Sequence, residues 1–270
     1  MNNLIIVPNK KEEINNILSK NIKGIILGVK DLSIYDLSLD IDEIISIADN
    51  TDKKIIIAIN KMIHNKDLSL VKEILTKIKD TKISGILFYD IGILKIAKDL
   101  NINKELILSQ EHLNASINSN NFYYNKGINS TFITSDITYN EVLEIKDNTK
   151  MNIYYTVYGY LPIFYSRRLL LTNYFKYIDK EKTSDKYYIY DKEDKHLVRE
   201  RDFGTIIYSP LVNLINHLDK LNDINLVIDL SYTDNINIID DFINKNKIDK
   251  EYLGFFNTKT TYKLRGDNNE

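Results

Sequence analysis

The chain has 270 residues, of which 43% are hydrophobic and 27% charged, so it can build a sizeable core in one large or two small domains. Its formal net charge of -2 and isoelectric point near 6.1 argue against a protein that coats nucleic acid non-specifically. The absence of cysteine excludes disulfides, zinc–thiolate sites, a cysteine-ligated iron–sulfur cluster and a cysteine nucleophile.

The apolar segment near the N-terminus, at 4–7, is too short for the hydrophobic region of a secretory signal. No later stretch approaches the length that is needed to span a bilayer. We therefore predict a cytoplasmic protein with no membrane partner.

Short apolar segments rich in β-branched residues recur along the chain and predict eight strands. Because these segments are continuously apolar rather than alternating, both faces of each strand are expected to be buried, as in a parallel sheet. The segments lie at 4–7, 24–29, 54–60, 83–90, 106–110, 131–135, 152–160 and 226–230.

Helical patterns separate these strands. Thr138 and Glu141 form a T-x-x-E capping box ahead of an apolar stripe. Asn9 is a predicted N-cap, with Glu12 three residues later. An alternation of strands and helices predicts an α/β fold.

Two more helices are predicted towards the C-terminus. Ser209 followed by Pro210 is typical of a helix start, and leucines continue at helical spacing to Leu221. Asp234 is predicted to open the last helix.

Eight strands alternating with helices over about 250 residues indicate a TIM-type (β/α)8 barrel, with a doubly wound open sheet as the alternative. The interval between the seventh and eighth strands is unusually long. It contains YYIYDKEDKHLVRERD, at 187–202, which predicts a β-hairpin. We predict a single barrel domain over residues 1–270, with an insertion at about 160–208 that covers the barrel mouth.

The carboxyl ends of barrel strands meet at one face, where active sites of this fold are found. We therefore take the polar residues at the predicted strand ends as site candidates. His112, Glu111 and Asp90 are the candidate catalytic bases for activating a water molecule. Each also has a structural interpretation, since Asp90 precedes Gly92 in a turn pattern and a lone histidine is often structural.

Known catalytic motifs are missing from the sequence, including the P-loop, G-x-G-x-x-G, H-E-x-x-H and G-x-S-x-G. A triad of Ser166, His112 and Asp229 has no local support. Asp90, His112 and Asp229 are suitable metal ligands by type but lack a diagnostic spacing. We therefore assign no metal ligands and no cofactor, and leave open a divalent metal that activates water.

The segment GYLPIFYSRRLLLTNYF, at 159–175, places Arg167 and Arg168 side by side between aromatic and leucine-rich sequence. Because an unpaired charge is costly to bury, at least one guanidinium is expected to meet an anion at the barrel's open end. The anion would be Asp229 or Asp202, or a carboxylate or phosphate of a ligand. The predicted ligand-binding residues are Asn60, Gln110, Tyr158, Tyr165, Ser166, Arg167, Arg168 and Asp229.

The same segment resembles the signature region of the collagenase-like peptidases of family U-32. In that region a glycine ends a strand and a Tyr-Ser-x-Arg core leads into Leu-Leu-Ser/Thr-x-Tyr. Further stretches similar to the family occur in the same order, at 60–71, 83–97, 108–127, 200–221 and 252–266. The resemblance implies a TIM-type barrel and hydrolysis of peptides at its C-terminal face.

The sequence also departs from the family. Many members carry cysteines where this chain has Pro162 and Leu169, and some relatives use such cysteines to hold an iron–sulfur cluster for hydroxylating RNA bases or quinone precursors. The family's Lys-x-Glu-Gly-Arg segment is replaced here by residues 229–231, Asp-Leu-Ser. These departures favour an alternative function as a non-catalytic binding barrel or an accessory subunit related to the RNA-hydroxylating members.

The expected partner is a peptide or a small anionic ligand, and RNA is less favoured because of the acidic balance of the chain. A homo-oligomer or a complex with a related family member is also expected.

Overall fold

A computed structural model of the chain describes residues 3–110, 114–191, 194–249 and 251–257. Within these ranges the chain forms twelve strands. They are β1 (Leu4–Val7), β2 (Gly24–Val29), β3 (Ser38–Leu39), β4 (Lys54–Ile59), β5 (Gly85–Phe88), β6 (Glu105–Leu108), β7 (Ser130–Phe132), β8 (Asn152–Ser166), β9 (Lys186–Asp191), β10 (Asp194–Arg201), β11 (Gly204–Asn213) and β12 (Asn225–Asp229).

Eight of these strands form a closed parallel barrel. The ring runs β1, β2, β4, β5, β6, β7, β8 and β12, and each neighbouring pair is parallel. It closes because β12 pairs with β1 on one side and with β8 on the other. The TIM-type barrel is confirmed, and each of its strands overlaps one of the eight predicted segments.

Eight helices accompany the strands within the described ranges. They are α1 (Ile14–Ser19), α2 (Ile41–Asp49), α3 (Leu68–Ile78), α4 (Gly92–Asp99), α5 (Ile117–Asn125), α6 (Tyr139–Asn148), α7 (Leu170–Tyr177) and α8 (Ile238–Asn244). Helices α1 to α6 lie between strands of the ring, α7 lies between β8 and β9, and α8 follows β12. Short 3-10 turns lie at Lys11–Glu13, Asn65–Asp67 and Ile215–Lys220. Within the described ranges, no helix combines the length and the hydrophobicity that crossing a bilayer requires.

Apolar side chains pack on both sides of the barrel wall. The large outer cluster lies between strands and helices, and a small inner cluster fills the barrel. The inner cluster consists of Ile5, Val7, Ile26, Ile56, Ala58, Leu87, Ile107, Tyr154 and Val227. The continuous apolar runs in the sequence follow directly from this burial on both faces.

Strand β8 extends well beyond the barrel. Its second half pairs with β11 in antiparallel orientation, β11 pairs with β10, and β10 pairs with β9. The predicted hairpin is therefore confirmed as β9 and β10. We call residues 160–213 the insertion.

The insertion lies over the C-terminal end of the barrel. The Tyr165 hydroxyl accepts a hydrogen bond from Met62 N, in the loop after β4, at 3.3 Å. The Tyr208 hydroxyl donates to Tyr232, in the loop after β12, at 3.2 Å. Tyr232 in turn donates to the carbonyl oxygen of Ile34, after β2, at 2.9 Å. The insertion therefore covers the barrel mouth.

The helix predicted from Ser209 and Pro210 is wrong, because both residues lie in β11. The Ser209 hydroxyl accepts a hydrogen bond from Leu161 N of β8 at 3.1 Å. The pairing of β11 with β8 is irregular between Tyr208 and Leu211. Pro210 lies in this interval, and it has no backbone N–H to donate to the neighbouring strand. The leucines that were assigned to this helix lie instead at the end of β11 and in or beside the 3-10 turn that follows it.

The capping box of Thr138 and Glu141 is confirmed at the start of α6. The other two predicted helix starts are wrong. The Asn9 side chain donates to the carbonyl oxygen of Thr233 at 2.8 Å, and the 3-10 turn begins after Lys10. Asp234 forms an ion pair with Lys10 at 2.8 Å, and α8 begins only at Ile238. Contacts between neighbouring loops therefore override the local capping pattern.

Gly159 lies where β8 leaves the barrel. Its φ of 141° is unfavourable for other residues, and a β-carbon there would come within 2.8 Å of the Asp229 carbonyl oxygen. It would also lie 2.9 Å from the Asp229 β-carbon. Glycine is thus required for β8 to pass so close to the end of β12.

We expect Gly159→Ala to lower the free energy of unfolding by about 2–4 kcal/mol, since it combines an unfavourable φ with steric overlap. Gly127→Ala is the matched control, because Gly127 also has a positive φ but its nearest neighbour, a Lys98 side-chain carbon, would lie at 3.7 Å. The control should cost about 1 kcal/mol. Urea denaturation measures both, and equal losses would contradict the predicted close contact.

Candidate functional site

A cavity of about 70 Å³ lies at the barrel mouth beneath the insertion. Its wall is built from the loop after β2, from residues at or just after the ends of β4, β6, β7 and β12, and from β8 and β11. Its lining residues are Ile34, Tyr35, Asn60, Ser109, Phe132, Ile133, Thr134, Ser135, Thr156, Tyr160, Leu161, Pro162, Tyr208, Asp229, Ser231 and Tyr232. The cavity therefore occupies the place where barrel proteins of this type carry their active sites.

Asp229, the last residue of β12, is the one carboxyl group among the described residues that line this cavity. Burial raises the pKa of Asp229 to about 7, while hydrogen bonding from Ser231 acts in the opposite sense. The backbone N–H of Ser231 donates to Asp229 Oδ1 at 2.8 Å. A carboxyl group with this pKa can exchange a proton at neutral pH, which makes Asp229 the leading chemical group of the site.

Asn60, at the end of β4, also lines the cavity and is only 3% exposed. Its Oδ1 accepts hydrogen bonds from the Ser33 hydroxyl at 2.7 Å and from Ile34 N at 3.1 Å. These bonds hold the loop after β2 against the barrel and orient the Asn60 amide. Of the predicted ligand-binding residues, Asn60 and Asp229 are brought together by the cavity.

Tyr158 is placed on the opposite face of β8. It is buried against α8, with its ring 6.2 Å from that of Phe242, and burial raises its pKa. The pairing of β8 with β12 skips Val157, which indicates a β-bulge. A bulge reverses the alternation of faces, so Tyr158 lies on the opposite face from Thr156, which lines the cavity. Tyr160, which follows Gly159 with its positive φ, lines the cavity again.

Gln110 and Asp90 lie outside the cavity wall. The Gln110 side chain donates to the carbonyl oxygen of Tyr89 at 3.3 Å. Asp90 Oδ1 accepts a hydrogen bond from Gly92 N at 2.7 Å, as the turn interpretation predicts. Glu111 and His112 lie outside the described residues.

The other predicted binding residues belong to the insertion. Tyr165 donates to the carbonyl oxygen of Phe203 at 3.3 Å, and the Ser166 hydroxyl accepts from Arg168 N at 3.2 Å. Both therefore stabilise the insertion itself. Ser166 is also remote from the cavity wall, which does not support the triad with Asp229.

The expected ion pair of Arg167 or Arg168 with Asp229 or Asp202 is wrong. Both arginines are exposed on the far end of β8, and Arg167 contacts His64 Nδ1. Because the guanidiniums remain hydrated, they need no counterion from the protein. Neither arginine contributes to the cavity wall.

A different arginine forms buried ion pairs, with carboxylates other than the expected Asp229 and Asp202. Arg199 of β10 is 7% exposed and forms ion pairs with Asp36 at 2.7 Å and Asp185 at 3.1 Å. Its guanidinium also lies 4.8 Å from the centre of the Tyr232 ring. Asp36 follows β2, so this cluster fastens the insertion to the barrel.

Glu200, next to Arg199, binds the leucine-rich segment that follows Arg167 and Arg168. It is 1% exposed and accepts hydrogen bonds from Leu171 N at 2.7 Å and Thr172 N at 3.0 Å, at the start of α7. It also binds Lys182 at 2.8 Å. The hydrogen bonds from Lys182 and Thr172 hold the pKa of Glu200 below its usual value against the effect of burial.

Several cavity residues were not identified from the sequence, namely Tyr35, Tyr160, Tyr208, Ser231 and Tyr232. Tyr208 was missed because β11 was not predicted. The pair Ser231 and Tyr232 directly follows the predicted eighth strand, so the strand-end rule that selected Asp229 could have selected them as well.

Comparison with known proteins agrees with the family resemblance of the segment at 159–175. A model of peptidase family U32 matches residues 10–228. The chain belongs to peptidase family U32. Its cysteine-free sequence therefore represents a member of this family that lacks thiolate ligands.

Two relatives of the chain carry names that indicate different activities. The chain is 27% identical over 193 residues to tRNA hydroxylation protein P2 of Bacillus subtilis (strain 168), an alignment that covers 68% of this chain and 62% of that protein. It is 23% identical over 135 residues to an uncharacterized protease of Methanocaldococcus jannaschii, covering 48% of this chain and 32% of the protease. The chain thus spans less than two thirds of the length of either relative.

We expect Asp229→Asn to stabilise the protein at pH 8, by up to about 4 kcal/mol, because it removes a carboxylate that is costly to ionise in the cavity. The folded-state pKa of about 7 lies above the unfolded value, so the penalty is absent below about pH 4 and complete above about pH 7. The gain over wild type should therefore grow between these values. Thermal unfolding from pH 4 to pH 8 tests this, and a gain that does not change with pH would contradict it.

We expect Glu200→Ala to lower the free energy of unfolding by at least about 2 kcal/mol, because it leaves two buried N–H groups and Lys182 without their acceptor. Glu181→Ala removes an exposed carboxylate of the same insertion and should change stability by less than about 0.5 kcal/mol. Urea denaturation distinguishes the two, and similar effects would argue against the anchoring role of Glu200.

Proposed function

We propose that this chain is a component of tRNA hydroxylation that acts beside a cysteine-bearing member of the family. The similarity to tRNA hydroxylation protein P2 supports this function, since it extends over 193 residues. The chain contains no thiolate to hold an iron–sulfur cluster. A redox step through such a cluster would belong to the partner, and this chain would bind RNA, a small molecule or the partner itself.

The observation that carries the proposal is the character of the cavity at the barrel mouth. Its volume of about 70 Å³ is far below the several hundred Å³ of typical ligand pockets, and the insertion covers it. A peptidase of broad specificity must accommodate an extended backbone on both sides of the scissile bond. The cavity suits a single chemical group, with any attached chain in the adjoining cavity of about 370 Å³, better than an extended peptide backbone.

The chemistry of the lining residues supports the same choice. No histidine, lysine or arginine of the described ranges lines the cavity. The described residues also contain no cluster of three or more histidine and acidic side chains that could hold a metal ion. Asp229 alone can act as a proton donor or acceptor there.

Peptide hydrolysis remains the second candidate, because the family and one relative carry the name of peptidases. In that mechanism His112, Glu111 or Asp90 would activate a water molecule. Asp90 is engaged with Gly92 N, and the other two follow β6 outside the described residues. A purified chain that cleaves peptides, and loses that activity when His112 is replaced by glutamine, would establish this alternative over the first.

Deletion of the gene tests the proposed function directly. We expect tRNA from the deletion strain to lose a nucleoside that is heavier than its parent by one oxygen atom, as measured by mass spectrometry of digested tRNA. Restoring the wild-type gene should recover that nucleoside. Affinity purification of the chain should also recover a cysteine-bearing family member. Unchanged hydroxylated nucleosides in the deletion strain would overturn the proposal.

A further inference from the structure

Asp229 lacks a counterion. Among the described residues that line the cavity there is no cationic side chain, and no described lysine or arginine forms an ion pair with Asp229. By contrast, the nearby carboxylates Asp36 and Asp185 are both paired with Arg199. Asp229 is half-buried, and a carboxylate in such a place is costly to ionise without a cation or several hydrogen bonds. Above about pH 7 the cavity therefore holds a carboxylate that has no counterion among the described residues.

The wall around Asp229 is suited to a positive charge. Five aromatic rings contribute to it, from Tyr35, Phe132, Tyr160, Tyr208 and Tyr232. The faces of aromatic rings attract cations, and this attraction is strongest where water is excluded. An anion in the same place would be repelled by Asp229, and a neutral molecule would leave the carboxylate uncompensated.

A second polar group lies beside Asp229. The Ser231 hydroxyl is buried, at 2% exposure, and its hydrogen bonding to Asp229 lowers the pKa of that carboxyl group, whereas it accepts no hydrogen bond from the described residues. It can accept a hydrogen bond from a ligand that also binds the adjacent carboxylate. An ammonium group carries three donors and suits such a set of converging acceptors.

We propose that the cavity binds the ammonium group of a primary amine, with Asp229 as its counterion and the Ser231 hydroxyl as a second acceptor. The cavity is too small for a bulky quaternary ammonium or a guanidinium with its chain. The proposal concerns a binding site and does not depend on tRNA hydroxylation.

A neighbouring apolar cavity offers room for the rest of the amine. It measures about 370 Å³ and shares Ser135 and Leu161 with the first cavity. Its wall includes Ile163, Val212 and Phe255. A short alkyl chain that leaves the first cavity beside Leu161 would meet this apolar surface.

Three phenols that line the cavity stay neutral between pH 6 and pH 8, because burial raises the pKa of Tyr160 and of Tyr208 and raises that of Tyr232 to about 12. Arg199 lies behind Tyr232 and is paired with Asp36. The neighbouring cavity that would hold the alkyl chain is also lined by Asp136 and His196. The comparison of wild type with Asp229→Asn therefore assigns the pH dependence to Asp229.

Three probes with the same alkyl chain separate the contribution of the head group from that of the tail. Butylamine is positive, butyrate negative and butanol neutral between pH 6 and pH 8. We expect butylamine to bind the purified wild-type chain at pH 8 at least about tenfold more tightly than butyrate or butanol, by NMR titration. Its affinity should fall about tenfold at pH 6, because most Asp229 is then protonated.

Asp229→Asn should weaken butylamine binding at least about tenfold at pH 8 and abolish the difference between pH 6 and pH 8. The amide keeps an acceptor for Ser231 N, so the fold should be retained, as circular dichroism can verify. Asp202→Asn, which removes an exposed carboxylate outside the cavity, is the matched control and should bind like wild type.

Equal binding of the three probes would overturn the proposal, as would undiminished butylamine binding by Asp229→Asn. So would the absence of butylamine binding to wild type at millimolar concentration. Because these measurements use purified protein without RNA, their failure is separate from a failure of the tRNA experiment.

Discussion

The double pairing of β12 is the interaction on which the rest of the structure depends. β12 is bonded to β1 on one side and to β8 on the other, so the first and last parts of the chain are joined in one ring. Without this closure the ends of β4 and β12 would not face each other across a common hollow. The positions of Asn60 and Asp229 in one cavity are therefore a consequence of backbone hydrogen bonds far along the chain from each other.

The same region joins the barrel to the antiparallel sheet that covers it. β8 is a ring strand in its first half and the first strand of the insertion in its second half. Because β8 continues without interruption from the barrel into the insertion, it fixes the orientation of the insertion relative to the barrel more firmly than a flexible linker would. The ion pairs of Arg199 and the hydroxyl chain from Tyr208 to Ile34 then fasten its far side.

Charge is distributed unevenly across this junction. The carboxylates Asp36, Asp185 and Glu200 are compensated by Arg199 or Lys182 and support the insertion. Asp229 is surrounded mainly by phenols and apolar groups and is held near neutrality. The ion pairs of the insertion thus lie away from the cavity wall, and the raised pKa of Asp229 is left without compensation by a cation among the described residues.

Much of the architecture could be predicted from local sequence. The eight strands are recognisable because burial on both faces requires continuous apolar runs, and the hairpin is recognisable because two strand-like arms flank a charged turn. β11 escaped prediction because Ser209 and Pro210 imitate a helix start, and its pairing with β8 is a contact across more than forty residues. Local patterns do not carry that information.

The candidate site was only partly predictable for a similar reason. Asp229 and Asn60 follow from the rule that strand ends converge, whereas the displacement of Tyr158 from the cavity follows from a bulge at Val157. The sequence contains no sign of that bulge. Arg167 and Arg168 were expected near the hollow because charge burial was assumed, but the length of β8 leaves both of them in solvent.

The close approach of Gly159 and Asp229 has a consequence for how this protein can evolve. A side chain at 159 would push against both the backbone and the β-carbon at 229, so a mutation at the first position would displace the carboxyl group at the second. Lineages that retain the acid can therefore explore few alternatives at 159, and relief would require shifting the whole end of β12. Drift at these two sites is expected to be correlated, even though only one of them carries a functional group.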